Sequence, residues 1–213
     1  MNAPAPAATP RVLVIASGNP GKIREFTALL ATEGPELDLE VRGQPPGLEV
    51  EETGDSFAAN ARLKAEAVAR ITGHWALADD SGLSVDALGG APGVHSARYA
   101  DSDPARIAQL LQELAAAGAH SPEQRGAHFT AALAVANPAG QVVLEVEGRC
   151  PGVILEAPCG EGGFGYDPVF LVPEAGLTFA EMDKILKGKL GHRGRAFALL
   201  EPQLRQHLDE NVD

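Results

Sequence analysis

Residues 11–22 read RVLVIASGNPGK, and this stretch predicts a strand, a tight turn and the start of a helix. The near-continuous apolar run at 11–16 has the length and composition of a buried strand. Residues 17–21, SGNPG, are rich in the turn formers glycine, asparagine and proline. Apolar side chains then recur at helical spacing over residues 22–31. A strand followed by a glycine-containing turn and a helix is typical of α/β proteins.

This turn is a candidate binding site for a triphosphate. A glycine-rich turn between a strand and a helix directs backbone N–H groups at one spot, at the positive end of the helix dipole. Lys22 adds a mobile positive charge, although a tight turn that merely precedes a lysine would have the same sequence. It is not a Walker A motif, because Ala16 and Ile23 stand where that motif has its first glycine and its Ser or Thr. The candidate ligands are Ser17, Gly18, Asn19, Pro20, Gly21 and Lys22.

The rest of the chain mixes predicted strands and helices, with no repeat and no long linker. We expect further strands at 37–41, 75–78, 83–88, 127–136, 141–147, 153–156 and 168–172. We expect further helices at 56–71, capped by Asp55 or Ser56, after a cap at Asp103, and at 193–207. The prediction is one α/β domain over residues 11–213 with a mixed sheet and flanking helices. Residues 1–10, MNAPAPAATP, are predicted to be a short disordered tail.

Charge and composition narrow the classes of partner and cofactor. The 213 residues carry a formal net charge of −12, so the chain has no basic footprint for a nucleic-acid polymer or an anionic membrane. No apolar run approaches the roughly 20 residues that span a bilayer, and no secretory signal is recognisable. We therefore expect a cytoplasmic protein that holds an anionic ligand with local cations and a metal ion. Cys150 and Cys159 form no C-x-x-C pair and lie near no His cluster, so zinc is not expected. Without a secretory signal, a disulfide between them is possible in principle but not expected.

An acidic pair follows the predicted buried strand 75–78. Asp79 and Asp80 are followed directly by Ser81. In α/β sheets, ligands bind beyond the carboxyl ends of strands, so we expect these side chains at the edge of the sheet. There one acid could hold magnesium or polarise a water, and Ser81 could contact a phosphate. A turn capped by an aspartate is the plainer interpretation.

A second acidic pair and one helix face carry further candidates. Glu51 and Glu52 precede the helix predicted at 56–71 and could bind a hard cation through oxygen, or form a solvated acidic loop. Asn60 and Lys64 are four residues apart, so they share a face of that helix. On a helix otherwise rich in alanine they could reach a phosphate, or be an ordinary surface amide and lysine.

Two segments near the C-terminus are candidates for binding a nucleoside. The loop 162–168, GGFGYDP, has three glycines that allow close approach of the backbone to a ligand, and Phe164 or Tyr166 could stack on a base. Lys187 and residues 192–195, HRGR, form a basic cluster in an acidic protein. The plainer interpretations are a flexible loop and a charged start of a helix.

Taken together and in order, these segments resemble the inosine/xanthosine triphosphate pyrophosphatase family, also called dITP/XTP diphosphatases. Each stretch alone is weak, whereas the ordered set is highly specific and runs through nearly the whole chain from residue 11. The stretches are SGNPGK (17–22), EETGDSFAANARLKA (51–65), ADDSGLSVDALGGAPGVHSARYA (78–100), GGFGYDPVF (162–170) and GHRGRA (191–196).

The resemblance implies an elongated mixed α/β fold of two lobes around a central nucleotide cleft, assembled as a homodimer. It implies hydrolysis of non-standard purine nucleoside triphosphates (ITP, dITP, XTP) to the monophosphate and pyrophosphate, with one Mg²⁺ ion per active site. This reaction cleanses the nucleotide pool, so that these bases are not incorporated into DNA or RNA.

The resemblance also implies a role for individual residues. Asp80 would be the catalytic acid/base and a magnesium ligand, and Glu51 or Glu52 would help to hold the metal. Ser81 would touch the substrate. The other substrate ligands would be the turn 17–22 and Asn60 and Lys64 at the phosphates, Phe164, Gly165, Tyr166 and Asp167 at the nucleoside, and Lys187, His192 and Arg193 at the purine.

The chain departs from the family pattern around Lys187. Leu186 and Gly191 stand where the family usually has an acidic residue and a serine. Lys184 or Lys189 could therefore take the place of Lys187.

A second departure and two alternatives complete the sequence-based picture. The acidic segment 100–103 also differs from the family and is expected to be peripheral to the chemistry. A Maf-like pyrophosphatase acting on pyrimidine nucleotides is the first alternative, and the loop 162–168 and the HRG motif argue against it. A non-catalytic nucleotide sensor is the second, and it would have no need of Asp80 or of the acidic pair at 51–52.

Overall fold

The computed structural model describes residues 11–37 and 39–210. Its strands are β1 (Arg11–Ala16), β2 (Leu39–Gly43), β3 (Trp75–Val85), β4 (Gly126–Ala136), β5 (Val142–Ile154), β6 (Phe170–Val172) and β7 (Leu177–Thr178). Its α-helices are α1 (Pro20–Glu33), α2 (Phe57–Thr72), α3 (Asp103–Ala116), α4 (Lys184–Leu190) and α5 (His192–Glu210). The predicted tail, residues 1–10, lies outside the described residues. Within the described ranges, no helix is both long enough and apolar enough to cross a membrane.

The strands form one mixed sheet in the order β2-β1-β3-β4-β5-β6-β7. β1 pairs in parallel with β2 and with β3, as expected for strands connected through helices. From β3 onward every neighbouring pair is antiparallel. The α/β fold class with a mixed sheet and flanking helices is therefore confirmed, whereas its division into two lobes stays a prediction.

Helices α1 and α5 cover one face of the sheet, and α5 lies mainly on β4 and β5. Alternate side chains of β1 and β3, among them Leu13 and Leu77, point to this face. There they pack against Phe26 of α1 and Phe197 of α5, and all four side chains are buried. This cluster fixes the ends of both helices relative to the middle of β3.

Helix α2 covers the opposite face. Its buried positions include Ala61 and Ala65, which pack against Ala76 and Ala78 of β3. Small side chains on both surfaces allow the helix to lie close to the strand. The polar residues that α2 directs at the sheet are consequently brought close to the strand backbone.

Strand β3 differs from the prediction. The sequence predicts two short strands separated by a turn at 79–82, but β3 is one strand that runs from Trp75 to Val85. Every residue of β3 from Ala76 to Val85 has a register partner on β4, so the backbone is paired throughout. The prediction that Asp79 and Asp80 lie in a turn at the sheet edge is therefore wrong, because both belong to a central strand.

Other differences concern the ends of elements. The predicted strand 153–156 is the end of β5, which extends to Ile154 because it pairs with β4 along its length. Helix α3 is capped by Ser102, whose hydroxyl accepts from the backbone N–H of Ala105, and not by Asp103 as predicted. Helix α2 is capped by Ser56, one of the two predicted residues.

Helix α5 lies directly on strand β5 at Gly148. A methyl group built on Gly148 would fall 2.5 Å from the carbonyl oxygen of His192 and even closer to the backbone nitrogen of Ala196. Both are backbone atoms of the first turn of α5, so they cannot move aside without disturbing the helix. Close contact at Gly148 thus sets the position of the helix end that carries residues 192 and 193.

We expect Gly148→Ala to destabilise the protein by about 1–3 kcal/mol, as overpacking does in well-packed interiors. Urea-induced unfolding followed by circular dichroism measures the change. Gly188→Ala is the matched control, because a methyl group there would meet only Leu29 Cδ2 at an ordinary distance of 3.6 Å. An equal loss of stability in both variants would contradict this account of Gly148.

Candidate active site

Two neighbouring acids in the middle of β3 point to opposite faces of the sheet. Asp79 faces α1 and α5, where its Oδ2 lies 2.8 Å from Lys22 Nζ and 3.3 Å from Arg193 Nε. It also accepts a hydrogen bond from the Ser81 hydroxyl at 3.0 Å. Asp79 therefore holds the start of α1 and the start of α5 to the same strand.

Asp79 is ionised in the folded protein. Burial alone would raise the pKa of this carboxyl, but the positive charges of Lys22 and Arg193 more than offset that effect and hold the pKa well below its usual value. Burial lowers the pKa of Lys22, and Asp79 opposes that change. The three groups form a buried charge cluster in which the acid has two basic partners.

Asp80 faces α2 and meets the residues predicted to share a helix face. Its Oδ2 accepts from Asn60 Nδ2 at 3.1 Å, and its Oδ1 lies 3.2 Å from Lys64 Nζ. Burial raises the pKa of Asp80, against the opposing charges of Lys64 and Lys22. A buried carboxylate with a raised pKa accepts a proton more readily than an exposed one, as a general base must.

One of the two predicted glutamates lies beside Asp80. Lys64 Nζ is 2.8 Å from Glu52 Oε1, so Glu52 and Asp80 share one ammonium group. Glu52 also approaches Arg98 Nη1 at 3.6 Å. Glu51 is exposed and is not part of this cluster.

The turn before α1 is organised by Asn19. Its side-chain oxygen accepts from the backbone N–H groups of Gly21 at 2.8 Å and Lys22 at 3.4 Å, which caps the helix. The Ser17 hydroxyl accepts from the N–H of Asn19 at 3.1 Å. Two N–H groups expected to face a phosphate thus serve the helix cap in this structure, while Lys22 extends to Asp79.

The loop 162–167 is held by its own polar residues. Asp167 Oδ2 accepts from the Phe164 N–H at 2.9 Å and lies 2.6 Å from Lys187 Nζ. The Tyr166 hydroxyl is buried and donates to the carbonyl oxygen of Ser96 at 2.9 Å. Tyr166 and Asp167 therefore anchor the loop, and the half-buried Phe164 lines the cleft.

His192 is a buried imidazole that stacks on neighbouring aromatic rings. It is 3% exposed and stacks on Phe129 with ring centroids 4.8 Å apart. Within the described residues, neither ring nitrogen has a hydrogen-bond partner. Burial, aided by the charge of Arg193, lowers the pKa of His192 well below its usual value, so the ring is neutral and offers one donor and one acceptor.

Glu25 joins the basic residues at this end of the cleft, and the sequence analysis missed it. Its Oε1 lies 2.9 Å from Lys187 Nζ, and its Oε2 lies 2.7 Å from Arg193 Nη1. Arg193 Nη2 also donates to the Ser81 hydroxyl at 2.6 Å. Glu25 lies three residues after Lys22 in a predicted helix, so the sequence alone could have indicated that the two share a helix face.

Lys187, and not Lys184 or Lys189, makes these contacts. Lys187 Nζ lies 5.0 Å from the centroid of the Phe164 ring, in addition to its two carboxylate partners. Lys184 and Lys189 are both exposed. The departures from the family pattern around residue 187 therefore leave this lysine pointing at the loop 162–167.

These groups surround one cavity of about 810 Å³, a volume within the usual range for small-molecule sites. Its wall contains residues from every predicted segment, among them Ser17, Gly18, Asn19, Pro20, Gly21, Lys22, Glu52, Lys64, Asp80, Ser81, Phe164, Gly165, Tyr166, Asp167, His192 and Arg193. Asp103 and Arg106 also line it, so segment 100–103 reaches the cleft, and its being peripheral to the chemistry stays a prediction. α3 packs into the same apolar cluster as Tyr166, which brings its first turn to the cleft.

Comparison with known proteins places the chain in a family. Residues 13–203 match the Ham1 family. A relative from Parasynechococcus marenigrum, named dITP/XTP pyrophosphatase, is 62% identical over 93% of this chain and 97% of its own length. A relative of the same name from Synechococcus sp. is 61% identical over 95% of this chain and 94% of its own length. A solved HAM1 protein from Coxiella burnetii is 39% identical, covers 92% of this chain and 99% of its own, and has a TM-score of 0.80. This chain belongs to the Ham1 family.

Proposed function

We propose that this protein hydrolyses non-standard purine nucleoside triphosphates, including ITP, dITP and XTP, to the monophosphate and pyrophosphate. The observation that carries the proposal is that Lys22, Lys64 and Asp80 line the same cleft as His192, a neutral ring whose nitrogens have no hydrogen-bond partner within the described residues. The names of the relatives, dITP/XTP pyrophosphatase, support the same reaction.

The triphosphate lies at the end of the cleft formed by the turn 17–22 and by α2. Lys22 and Lys64 both reach the carbonyl oxygen of Asp79, at 3.4 Å and 2.9 Å, so their ammonium groups lie close together. Two fixed cations stabilise charge that develops on phosphoryl oxygens, since they need no reorganisation during the reaction. In an acidic protein they supply the local positive potential that an anionic substrate requires.

The donors beside Lys64 fit magnesium. No cluster of three or more acids, histidines or cysteines able to hold a metal occurs in the described part of the chain, and Glu52 and Asp80 are the two carboxylates at hand. Mg²⁺ in nucleotide sites is commonly held by one or two carboxylates, with substrate phosphates and water completing its shell. Bound there, the ion would neutralise charge on the phosphate oxygens.

Asp80 acts as the general base. Its carboxylate, held by Asn60 and Lys64, takes a proton from a water molecule while that water attacks the α-phosphorus. The bond between the α-phosphorus and the bridging oxygen breaks, and pyrophosphate leaves with its charge balanced by Lys22 and Lys64. The chain supplies positioning and charge, as in other phosphoryl transfers, and no covalent intermediate is required.

The purine binds between Phe164 and His192. A neutral imidazole can donate one hydrogen bond to the 6-oxo group of hypoxanthine or xanthine, and Phe164 offers a ring for stacking. Arg193 and Lys187 add positive charge next to Phe164, with Arg193 Cζ 5.5 Å from the ring centroid. Assembly as a homodimer and location in the cytoplasm remain predictions that accompany this function.

The reaction is tested with purified protein, magnesium and, separately, ITP, XTP, GTP and ATP. We expect pyrophosphate and monophosphate as products, with kcat/KM for ITP and XTP on the order of 10²-fold or more above that for ATP, because an adenine amino group leaves buried donors unpaired. Chromatography of the products measures both points. Release of single phosphates, or equal turnover of GTP and ITP, would contradict the proposal.

Replacing the general base should separate chemistry from binding. We expect Asp80→Asn to lower kcat by about 10²–10⁴-fold, because the amide cannot accept the proton from water. Nucleotide binding and the melting temperature should change little, since asparagine keeps the size of the side chain. Asp55→Asn, which removes an exposed acid, is the control, and near-normal kcat in Asp80→Asn would exclude this role for Asp80.

The two neighbouring glutamates provide a matched test of the metal site. We expect Glu52→Gln to raise the Mg²⁺ concentration for half-maximal activity by about 10-fold or more, because a charged ligand is lost. Glu51→Gln removes the same charge from an exposed side chain and should leave that concentration unchanged. Titrations with Mg²⁺, together with direct binding of Mn²⁺, measure the difference. The opposite ranking of the two variants would assign the metal to Glu51.

A further inference from the structure

Helix α3 is joined to the loop 162–167 by one long-range hydrogen bond. The backbone N–H of Gly165 donates to Asp103 Oδ2 at 2.7 Å, across 62 residues of sequence. Gly165 has a φ of +62°, in the left-handed region that favours glycine, which sets the direction of this N–H. Asp103 and Gly165 both line the cleft.

The carboxylate of Asp103 is itself held in place. Its other oxygen lies 2.5 Å from Arg106 Nη1, and Arg106 Nε donates to the carbonyl oxygen of Ala100 at 3.0 Å. The Arg106 side chain is 21% exposed and that of Asp103 is 41% exposed, so Arg106 is the better shielded of the two. Because Arg106 holds one oxygen of the Asp103 carboxylate, the other oxygen keeps the N–H of Gly165 in a defined position.

The hydrogen bond between Gly165 and Asp103 constrains the backbone next to Phe164. The Phe164 N–H is held from the other side by Asp167, so the two peptide groups that flank the Phe164 α-carbon are each tied to a carboxylate. The ring itself lies against Gly21 of the phosphate turn, where a methyl group would come within 2.9 Å of Phe164 Cε1. The direction of the ring therefore depends on both carboxylates.

We propose that Asp103 is a positioning residue that sets the Phe164 ring for the purine by holding the N–H of Gly165. The proposal rests on the proposed function and extends it to a residue outside the segments that define the chemistry. Asp103 makes no contact with Lys22, Lys64 or Asp80, so its effect falls on the base and leaves the phosphates untouched. Loss of the bond thus weakens binding of the base without altering the chemical step.

The test compares ligands with and without a base. We expect Asp103→Ala to raise KM for ITP about 10-fold with kcat nearly unchanged, and to weaken binding of IMP, measured by calorimetry, by a similar factor. Binding of inorganic tripolyphosphate should not change. Asp103→Asn keeps one oxygen that can accept from Gly165 and should recover most of the affinity for IMP.

Controls separate this role from a structural one. Asp101→Asn removes an exposed acid two residues away and should match the wild type in every assay. Equal weakening of IMP and tripolyphosphate, or unchanged binding of IMP in Asp103→Ala, would overturn the proposal. If Asp103→Ala failed to fold, as judged by its melting temperature, Arg106→Gln would decide, because it removes the group that holds the Asp103 carboxylate: unchanged affinity for IMP in Arg106→Gln would also overturn the proposal. If the wild-type protein bound IMP but released no pyrophosphate from ITP, the proposed function would be refuted. The comparison of IMP binding between the wild type and the Asp103 variants would still test the role of Asp103.

Discussion

The arrangement of the site depends on one buried carboxylate, that of Asp79. A charge in the interior is tolerated only when partners surround it, and removal of one partner from such a group typically costs about 3–5 kcal/mol. Lys22 and Arg193 supply those partners from two different helices, α1 and α5. The need to neutralise Asp79 therefore fixes where the turn 17–22 and the start of α5 meet.

Successive side chains of a β-strand point to opposite faces of the sheet, so Asp80 has different surroundings from Asp79. Asp80 points to the other face of the sheet, where Asn60 and Lys64 hold it beside the cleft. The pKa values of the two aspartates therefore shift in opposite directions, because their surroundings differ. Two cations act directly on Asp79 and lower its pKa, whereas burial dominates at Asp80 and raises its pKa. One strand thereby carries a structural anion and a candidate base side by side.

Charged side chains also form a network that joins β3 to α1, α4 and α5. Asp79 contacts Lys22 and Arg193, and Glu25 continues from Arg193 to Lys187. A contiguous network of this kind means that the positions of Lys22, Arg193 and Lys187 are not independent. Each basic group of this network has a carboxylate partner, so the protein concentrates paired charges here although its net charge is −12.

Local patterns were sufficient for much of this structure. The strand and helix of residues 11–33, the hairpin of β4 and β5, and the shared face of Asn60 and Lys64 follow from periodicity and turn residues alone, and the structure confirms them. The turn predicted at residues 79–82 was wrong for a reason that no local pattern contains. Asp, Ser and Gly favour turns, but pairing with β4 supplies backbone partners throughout and overrides that preference.

The sequence by itself determined the family resemblance, the α/β class and the residue types of a nucleotide site, because these depend on order and spacing along the chain. Only the tertiary structure decided which of two glutamates stands beside Asp80, that Glu25 bridges two basic residues, and that Asp103 reaches Gly165. Each of these contacts joins residues far apart in sequence. These contacts form only when the helices pack on the sheet. The burial that shifts the pKa values of the charged groups also arises only from that packing.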